Sequence, residues 1–315
     1  MPASRYIFGT LPWYSVLILT GVIAALLLCM AEEKRRNLPK DTTIDLALTV
    51  VPLGIVGARL YYVIFSWQMF ADDLLSILQV WNGGLAIYGG VIGGALGAWL
   101  YHRHKKLPMG VLADCIAPGL ALAQSIGRWG NFFNMEAYGL AITESALQFF
   151  PLAVYIPSDG GWHMATFFYE SLWDFGVFLF LWLNRKKHRR DGDGFLWYLL
   201  LYGGGRLLIE GLRTDSLMSF GGSFRVSQLL SLLLCAAACG VFVLRGFKAA
   251  PAGRKRLTLG LTTALVVLAL LLLVAGLPLL QRELCGAGCA ALCVIITLLW
   301  RGDDKPETEE VHADI

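Results

Sequence analysis

Residues Gly127-Arg128-Trp129-Gly130-Asn131-Phe132-Phe133-Asn134-Met135-Glu136-Ala137-Tyr138-Gly139 bring an arginine, two asparagines, a glutamate and three glycines into one short stretch. A guanidinium grips phosphate through parallel N–H bonds, and asparagine amides orient polar head groups. Further along, Tyr202, Arg206 and Glu210 are spaced i, i+4, i+8 and share one helix face, with Arg206 and Glu210 in pairing register. Arg59, Glu170 and Asp174 are further ionisable residues set in apolar runs. This set suits recognition of an anionic, partly apolar molecule. The five histidines (His102, His104, His163, His188, His312) are scattered, no CxxC occurs, and no metal site or cofactor is expected. The seven cysteines fall mostly in apolar runs and read as small residues on membrane helix faces.

The elements that position these residues follow from composition. Of the 315 residues, 57% are apolar and only 16% charged. Soluble proteins carry ~25% charged residues, so the chain reads as an all-α polytopic membrane protein. Candidate spans are 12–31, 44–65, 83–100, 109–127, 166–183, 194–212, 226–245, 257–280 and the short 284–300. The first is not a cleaved signal peptide, because its positive charges follow it.

Lys and Arg cluster in four alternate loops: 32–40, 101–108, 184–193 and 245–256. Positive residues mark the cytoplasmic side, so the N-terminus is expected outside and the acidic tail 301–315 inside. Segment 128–165 is the longest connection and reads as a small extracytoplasmic head. Segment 66–82, apolar apart from Asp72 and Asp73, reads as an arm along the outer interface.

Charged groups inside a bilayer are costly and mark functional sites. Tyr14, Arg59, Tyr88, Arg128, Glu170, Tyr202, Arg206 and Glu210 all fall in the outer halves of their expected spans. At 1.5 Å per residue Arg206 lies ~9 Å below the outer end. In the third span Gly89, Gly93 and Gly97 recur every four residues, a spacing that lets helix backbones approach. No strand precedes this stretch, so it is not a nucleotide-binding loop, and no nucleic-acid partner is expected.

With these residues in place the chain resembles the bacterial prolipoprotein diacylglyceryl transferases. Segment 127–139 looks like that family's hallmark. Gly57-Ala58-Arg59-Leu60-Tyr61-Tyr62, the Gly-rich third span, Phe168-Tyr169-Glu170-Ser171 and Gly205–Arg213 also match. The likeness covers about residues 12–245.

The resemblance implies a seven-span core over 1–245, with an outer head and a membrane-plane arm. It implies transfer of diacylglyceryl from phosphatidylglycerol to the lipobox Cys thiol of a prolipoprotein whose signal peptide is still in the membrane. The product is a thioether, glycerol phosphate is released, and no cofactor takes part. The implied location is the bacterial cytoplasmic membrane, with the active site toward the outer leaflet. The implied catalytic residues are Arg128, Arg206, Tyr88, Glu136 and Glu210. Asn131, Asn134, Gly139, Tyr14, Tyr202 and Arg59, with Arg128, are the implied substrate-binding positions. Many members carry His where this chain has Tyr88, and a Tyr with its ordinary pKa of ~10 is a poor base at neutral pH. The alternatives are a membrane transporter, which would place its site near the midplane, and a non-catalytic lipid-binding protein.

Residues 246–315 extend beyond the resemblance. One or two further spans are expected there, with Gln281-Arg282-Glu283 as a tight outer turn. The return segment is expected to be short, and the extension to bring no buried charge to the polar level.

Overall fold

The computed structural model describes residues 4–71, 73–187, 190–214, 225–247, 251–273 and 279–300. The expected acidic tail 301–315, Asp72, His188 and His312 lie outside the described residues. The long helices are α1 (Trp13–Arg35), α2 (Thr42–Phe65), α3 (Ile87–Lys105), α4 (Met109–Asn134), α5 (Thr166–Asn184), α6 (Asp193–Ile209), α7 (Val226–Gly246), α8 (Ala252–Leu273) and α9 (Leu279–Trp300). Among the described residues α1, α2, α4, α7 and α9 contain stretches long and apolar enough to cross a membrane. Large side chains such as Leu19, Leu27, Leu48 and Ile64 point outward from α1 and α2, as lipid-facing helices require. The chain is an all-α polytopic membrane protein. Its only described strands form two short antiparallel hairpins, β1 (Tyr6–Ile7) with β2 (Leu11–Pro12) and β3 (Ala153–Ile156) with β4 (Gly161–Met164).

The chain divides into two compact units. One comprises the described residues of 1–25 and 117–315, the other those of 26–116. In the first, α6 packs against α5, α7 and α9. Its core holds Trp197, Leu200, Leu207, Ala238, Ile296 and Trp300, all almost fully buried. Cys235 and Cys239 on α7 and Cys289 and Cys293 on α9 lie in this core, so they fill helix interfaces and do not face lipid. Small residues set the spacing: a Cβ at Gly203 would fall 2.8 Å from Cys235 Sγ. Trp300 Nε1, at the end of α9, donates to Thr258 Oγ1 near the start of α8 (2.9 Å), so α9 returns alongside α8.

In the second unit α2 and α3 pack backbone to backbone. A Cβ on Gly89 would lie 2.2 Å from Gly57 O, and one on Gly93 2.2 Å from Leu53 O. No side chain fits there, so the four-residue glycine repeat serves packing. Buried Glu32 pairs with Arg35 (2.5 Å), and Arg36 reaches Asp114 (3.1 Å), which ties the end of α1 to the start of α4.

Several expected boundaries move, each for a local reason. The third helix starts at Ile87, not 83, because Gly83 and Gly84 adopt left-handed φ values of 85° and 71°. Tyr88 therefore sits on the first turn of α3. The fourth helix continues to Asn134 and not only to 127, so the first eight residues of the hallmark segment are helical. The chain leaves the helix at Met135 and Ala137, both with positive φ. At the C-terminal end Gln281–Glu283 is no turn. These residues lie in the first turns of α9, a 22-residue helix and not a short return segment.

Candidate functional site

The first unit gathers charged side chains at one end of its helices. Glu170, on the second turn of α5, is 3% exposed. Its Oε2 lies 2.6 Å from Arg128 Nε and its Oε1 2.6 Å from Arg206 Nη1. Arg213 Nη1 approaches the same Oε1 at 3.6 Å. Arg206 also reaches Glu210 Oε2 through Nη2 (2.6 Å), the i, i+4 pairing expected from the sequence. Glu210 Oε1 accepts from Ser227 Oγ at the start of α7 (2.6 Å), and Arg225 donates to the Glu210 carbonyl. The ends of α4, α6 and the following turn thus meet the starts of α5 and α7. Tyr202, one turn before Arg206, stacks on Tyr198, whose hydroxyl donates to Gln124 Oε1 at 3.0 Å. Asp174, one turn deeper than Glu170, is buried, and its Oδ2 has no hydrogen-bond partner among the described residues.

Arg128 and Arg206 keep 19% and 17% of their side chains accessible. Arg128 is tethered by Nε alone, and its two terminal nitrogens have no partner among the described residues. A guanidinium held this way presents a two-pronged donor to an incoming anion. Bringing the charges together in a water-poor setting makes each interaction stronger than in water.

The remaining hallmark residues form a neighbouring group. Glu136 Oε1 accepts from Asn131 Nδ2 (2.9 Å) and Asn134 Nδ2 (3.1 Å). Gly139 is wedged tightly: a Cβ there would fall 2.7 Å from Thr166 Cγ2 and 2.9 Å from Leu212 O. It pairs with Arg213 as an isolated bridge, and its amide donates to Met164 O (2.9 Å). His163 Nδ1 contacts the Gly139 carbonyl (3.0 Å) and Thr166 Oγ1 donates to Ala137 O (2.6 Å). The head hairpin is thereby sewn to the turn that carries Glu210 and Arg213. Tyr14 lies flat against Gly130, where a Cβ would sit 2.5 Å from Tyr14 Cδ2. Between α5 and α6 runs an apolar groove of about 460 Å³ lined by Tyr169, Leu172, Trp173, Gly176, Leu201 and Ile209 among others.

Tyr88 and Arg59 belong to the second unit. Tyr88 is half-buried with its ring 6.2 Å from that of Tyr61. Arg59 is buried and engages backbone carbonyls: Nε donates to Ile77 O (2.8 Å), Nη1 to Gly83 O (2.7 Å) and Nη2 to Ser76 O (2.6 Å). Its guanidinium also stacks over Phe70 at 5.0 Å. Through these bonds Arg59 staples the arm. The arm itself is a run of single 3₁₀ turns with Trp67, Met69, Leu75, Leu78 and Trp81 exposed.

Sequence reasoning placed Glu170 at the polar level but gave it no role. The signal for one was there, since a carboxylate one turn into an apolar span needs a cation. Arg213 and Ser227 were likewise not singled out.

This architecture defines a polytopic membrane protein with an arginine-rich, carboxylate-buttressed cluster at the ends of its helices. The profile of the prolipoprotein diacylglyceryl transferases matches residues 5–244. A phosphatidylglycerol–prolipoprotein diacylglyceryl transferase of Listeria monocytogenes is 44% identical over 243 residues, covering 76% of this chain and 87% of that protein. Proteins of the same name from Geobacillus kaustophilus (45% over 244 residues, 76% and 90%) and Streptococcus equi subsp. zooepidemicus (44% over 240 residues, 75% and 91%) are similarly related. The chain belongs to the prolipoprotein diacylglyceryl transferase family and is an enzyme, a transferase.

Proposed function

We propose that the chain transfers the diacylglyceryl group of phosphatidylglycerol to the thiol of a lipobox cysteine, and that the Arg128–Glu170–Arg206 cluster is where it does so. The observation that supports this placement is Arg128 meeting Glu170 through Nε, with no hydrogen bond to its two terminal nitrogens among the described residues. In the reaction the thiolate sulfur attacks the glycerol carbon that bears the phosphate ester. A C–S bond forms, the C–O bond to phosphate breaks, and the electron pair leaves with glycerol phosphate. The thiol proton departs to solvent or to the leaving group. Negative charge grows on the departing oxygen, where Arg128 and Arg206 stabilise it more than in the ground state. The same guanidiniums favour ionisation of a thiol whose ordinary pKa is ~8.5, so no dedicated base is required.

Asn131, Asn134 and Glu136 form a linked polar group next to Arg128 on the chain and orient the glycerol head group in this reading. The apolar groove between α5 and α6 offers an acyl chain a path beside Glu170. In this reading the basic ends of α5 and α7 lie on the cytoplasmic side, which supports a cluster in the outer leaflet of the cytoplasmic membrane. In this reading all nine long helices cross the membrane, seven forming the core that ends near 245. The prolipoprotein reaches the site with its signal peptide in the bilayer.

The purified chain in detergent, given phosphatidylglycerol and a lipobox peptide, is expected to yield a diacylglyceryl thioether and glycerol phosphate in equal amounts. No product with phosphatidylglycerol, or transfer of an acyl group alone, would overturn the reading.

A further inference from the structure

The helices beyond the stretch matched by the family profile are not mere additions to its periphery. A Cβ built on Gly211 would lie 1.6 Å from Glu283 Oε1 and 2.1 Å from Oε2. The Glu283 carboxylate, from α9, therefore occupies the place a side chain at 211 would take. Both its oxygens are buried. Gly211 is the middle residue of the turn Glu210–Leu212, and α9 packs directly on that turn. On one side of Gly211 is Glu210, bound to Arg206 and Ser227. Two residues on is Arg213, which approaches Glu170. The expectation that the extension brings no buried charge to this level is thus incorrect. The expected tight outer turn at Gln281–Glu283 is instead helical: α9 begins at Leu279 and carries Glu283 inward.

We infer that Glu283 is a positioning residue of the transferase site, through which the C-terminal extension holds the Glu210–Arg213 turn in register. The inference rests on the reading of the cluster as the transferase site. Glu283 touches no reacting atom; it acts by fixing the backbone whose side chains anchor Arg206 and Glu170. It also adds a carboxylate to a region where Arg128, Arg206, Arg213 and Arg225 accompany Glu170, Asp174 and Glu210. Buried guanidiniums need such compensation to keep one geometry. A displacement of an ångström at a charge-stabilising donor is enough to lower turnover about a hundredfold.

The test is a set of substitutions in the full chain, with turnover normalised to folded protein. Glu283→Gln keeps the shape and removes the charge. It is expected to lower kcat on the order of tenfold while KM for phosphatidylglycerol stays near wild type and the melting temperature holds. Gly211→Ala is expected to lower both turnover and melting temperature, because its methyl collides with the carboxylate. In a Glu283→Ala background the same methyl has room, so the second substitution should cost much less. Wild-type kcat in both Glu283→Gln and Glu283→Ala would overturn the inference. So would a Gly211→Ala penalty in melting temperature that is equal in both backgrounds. If the unmodified chain transfers no diacylglyceryl group, the functional reading has failed, and the melting cycle still reports whether the two residues touch. If the unmodified chain is active and the Glu283 variants match it, only this inference has failed.

Discussion

Arg128 Nε lies 2.6 Å from Glu170 Oε2, and this one contact aims the arginine without consuming its terminal donors. Arg206 is placed differently, with Nη1 on Glu170 and Nη2 on Glu210. One carboxylate thus orients two guanidiniums, one more open than the other. In the proposed reading this shared anchor gives a buried carboxylate a place in a site for an anion: it fixes the direction of both guanidiniums, and Arg213 approaches it as well.

Arg128→Ala is expected to lower turnover ~10²–10³-fold, the usual effect of losing one donor that stabilises developing charge. Arg206→Ala should be at least as severe, because it also removes the guanidinium that meets Glu210 Oε2. Lysine at either position should rescue poorly, since an ammonium offers no planar fork. Steady-state transfer assays on inserted protein decide this. Near-normal activity of either Ala variant would remove that residue from the site.

Glu170→Gln should disable the enzyme even though every arginine remains. Removing one partner of a buried pair costs ~3–5 kcal/mol because the other charge stays uncompensated. Arg128 would lose its tether, and Arg206 would swing toward Glu210. Turnover is expected to fall ~10²-fold, with a lower melting temperature in detergent. Glu170→Asp keeps the charge but not the reach, and should fall between. A Gln variant with wild-type turnover would sink the hub role.

How far this was legible in the sequence varies from residue to residue. The Arg206–Glu210 pair followed directly from i, i+4 spacing, and the glycine packing of α3 from its four-residue repeat. The place of Gly139 under Leu212, and of Glu283 on Gly211, could not be read. Both are contacts between residues far apart in the chain, and neither leaves a periodic trace. Helix ends were misjudged where backbone conformation decided them. Gly83 and Gly84 delay α3, and Met135 ends α4 later than a drop in hydropathy suggests. The carbonyl bonds of Arg59 could not be read either, because an arginine in a span looks the same whether it faces substrate or the carbonyls of an irregular arm.

Arg59→Met should therefore loosen the arm before it affects chemistry. The substitution leaves the carbonyls of Ser76, Ile77 and Gly83 without their donor, each worth ~1–3 kcal/mol if it stays buried. Faster proteolysis or amide exchange across 66–86 is expected, with Arg59→Lys intermediate because one ammonium cannot serve carbonyls on both sides. An arm equally protected in Arg59→Met would show that other contacts hold it.

Tyr88 offers the sharpest separation between hydrogen bonding and proton abstraction. Its hydroxyl has no hydrogen-bond partner among the described residues, and its ring lies tilted beside Tyr61 at the first turn of α3. A general base needs a neighbour that orients it, and no described group hydrogen-bonds the Tyr88 hydroxyl. Tyr88→Phe should consequently retain measurable transfer. If the hydroxyl bonds substrate, the loss is that of one neutral hydrogen bond, ~0.5–1.5 kcal/mol, or at most about tenfold in rate. Tyr88→His should be tolerated, since the position is half-open and an imidazole is smaller than a phenol. The decisive measurement is kcat/KM for both variants against pH. A Phe variant that folds normally yet shows no transfer at any pH would restore Tyr88 as the base and displace the arginine-promoted ionisation of the thiol.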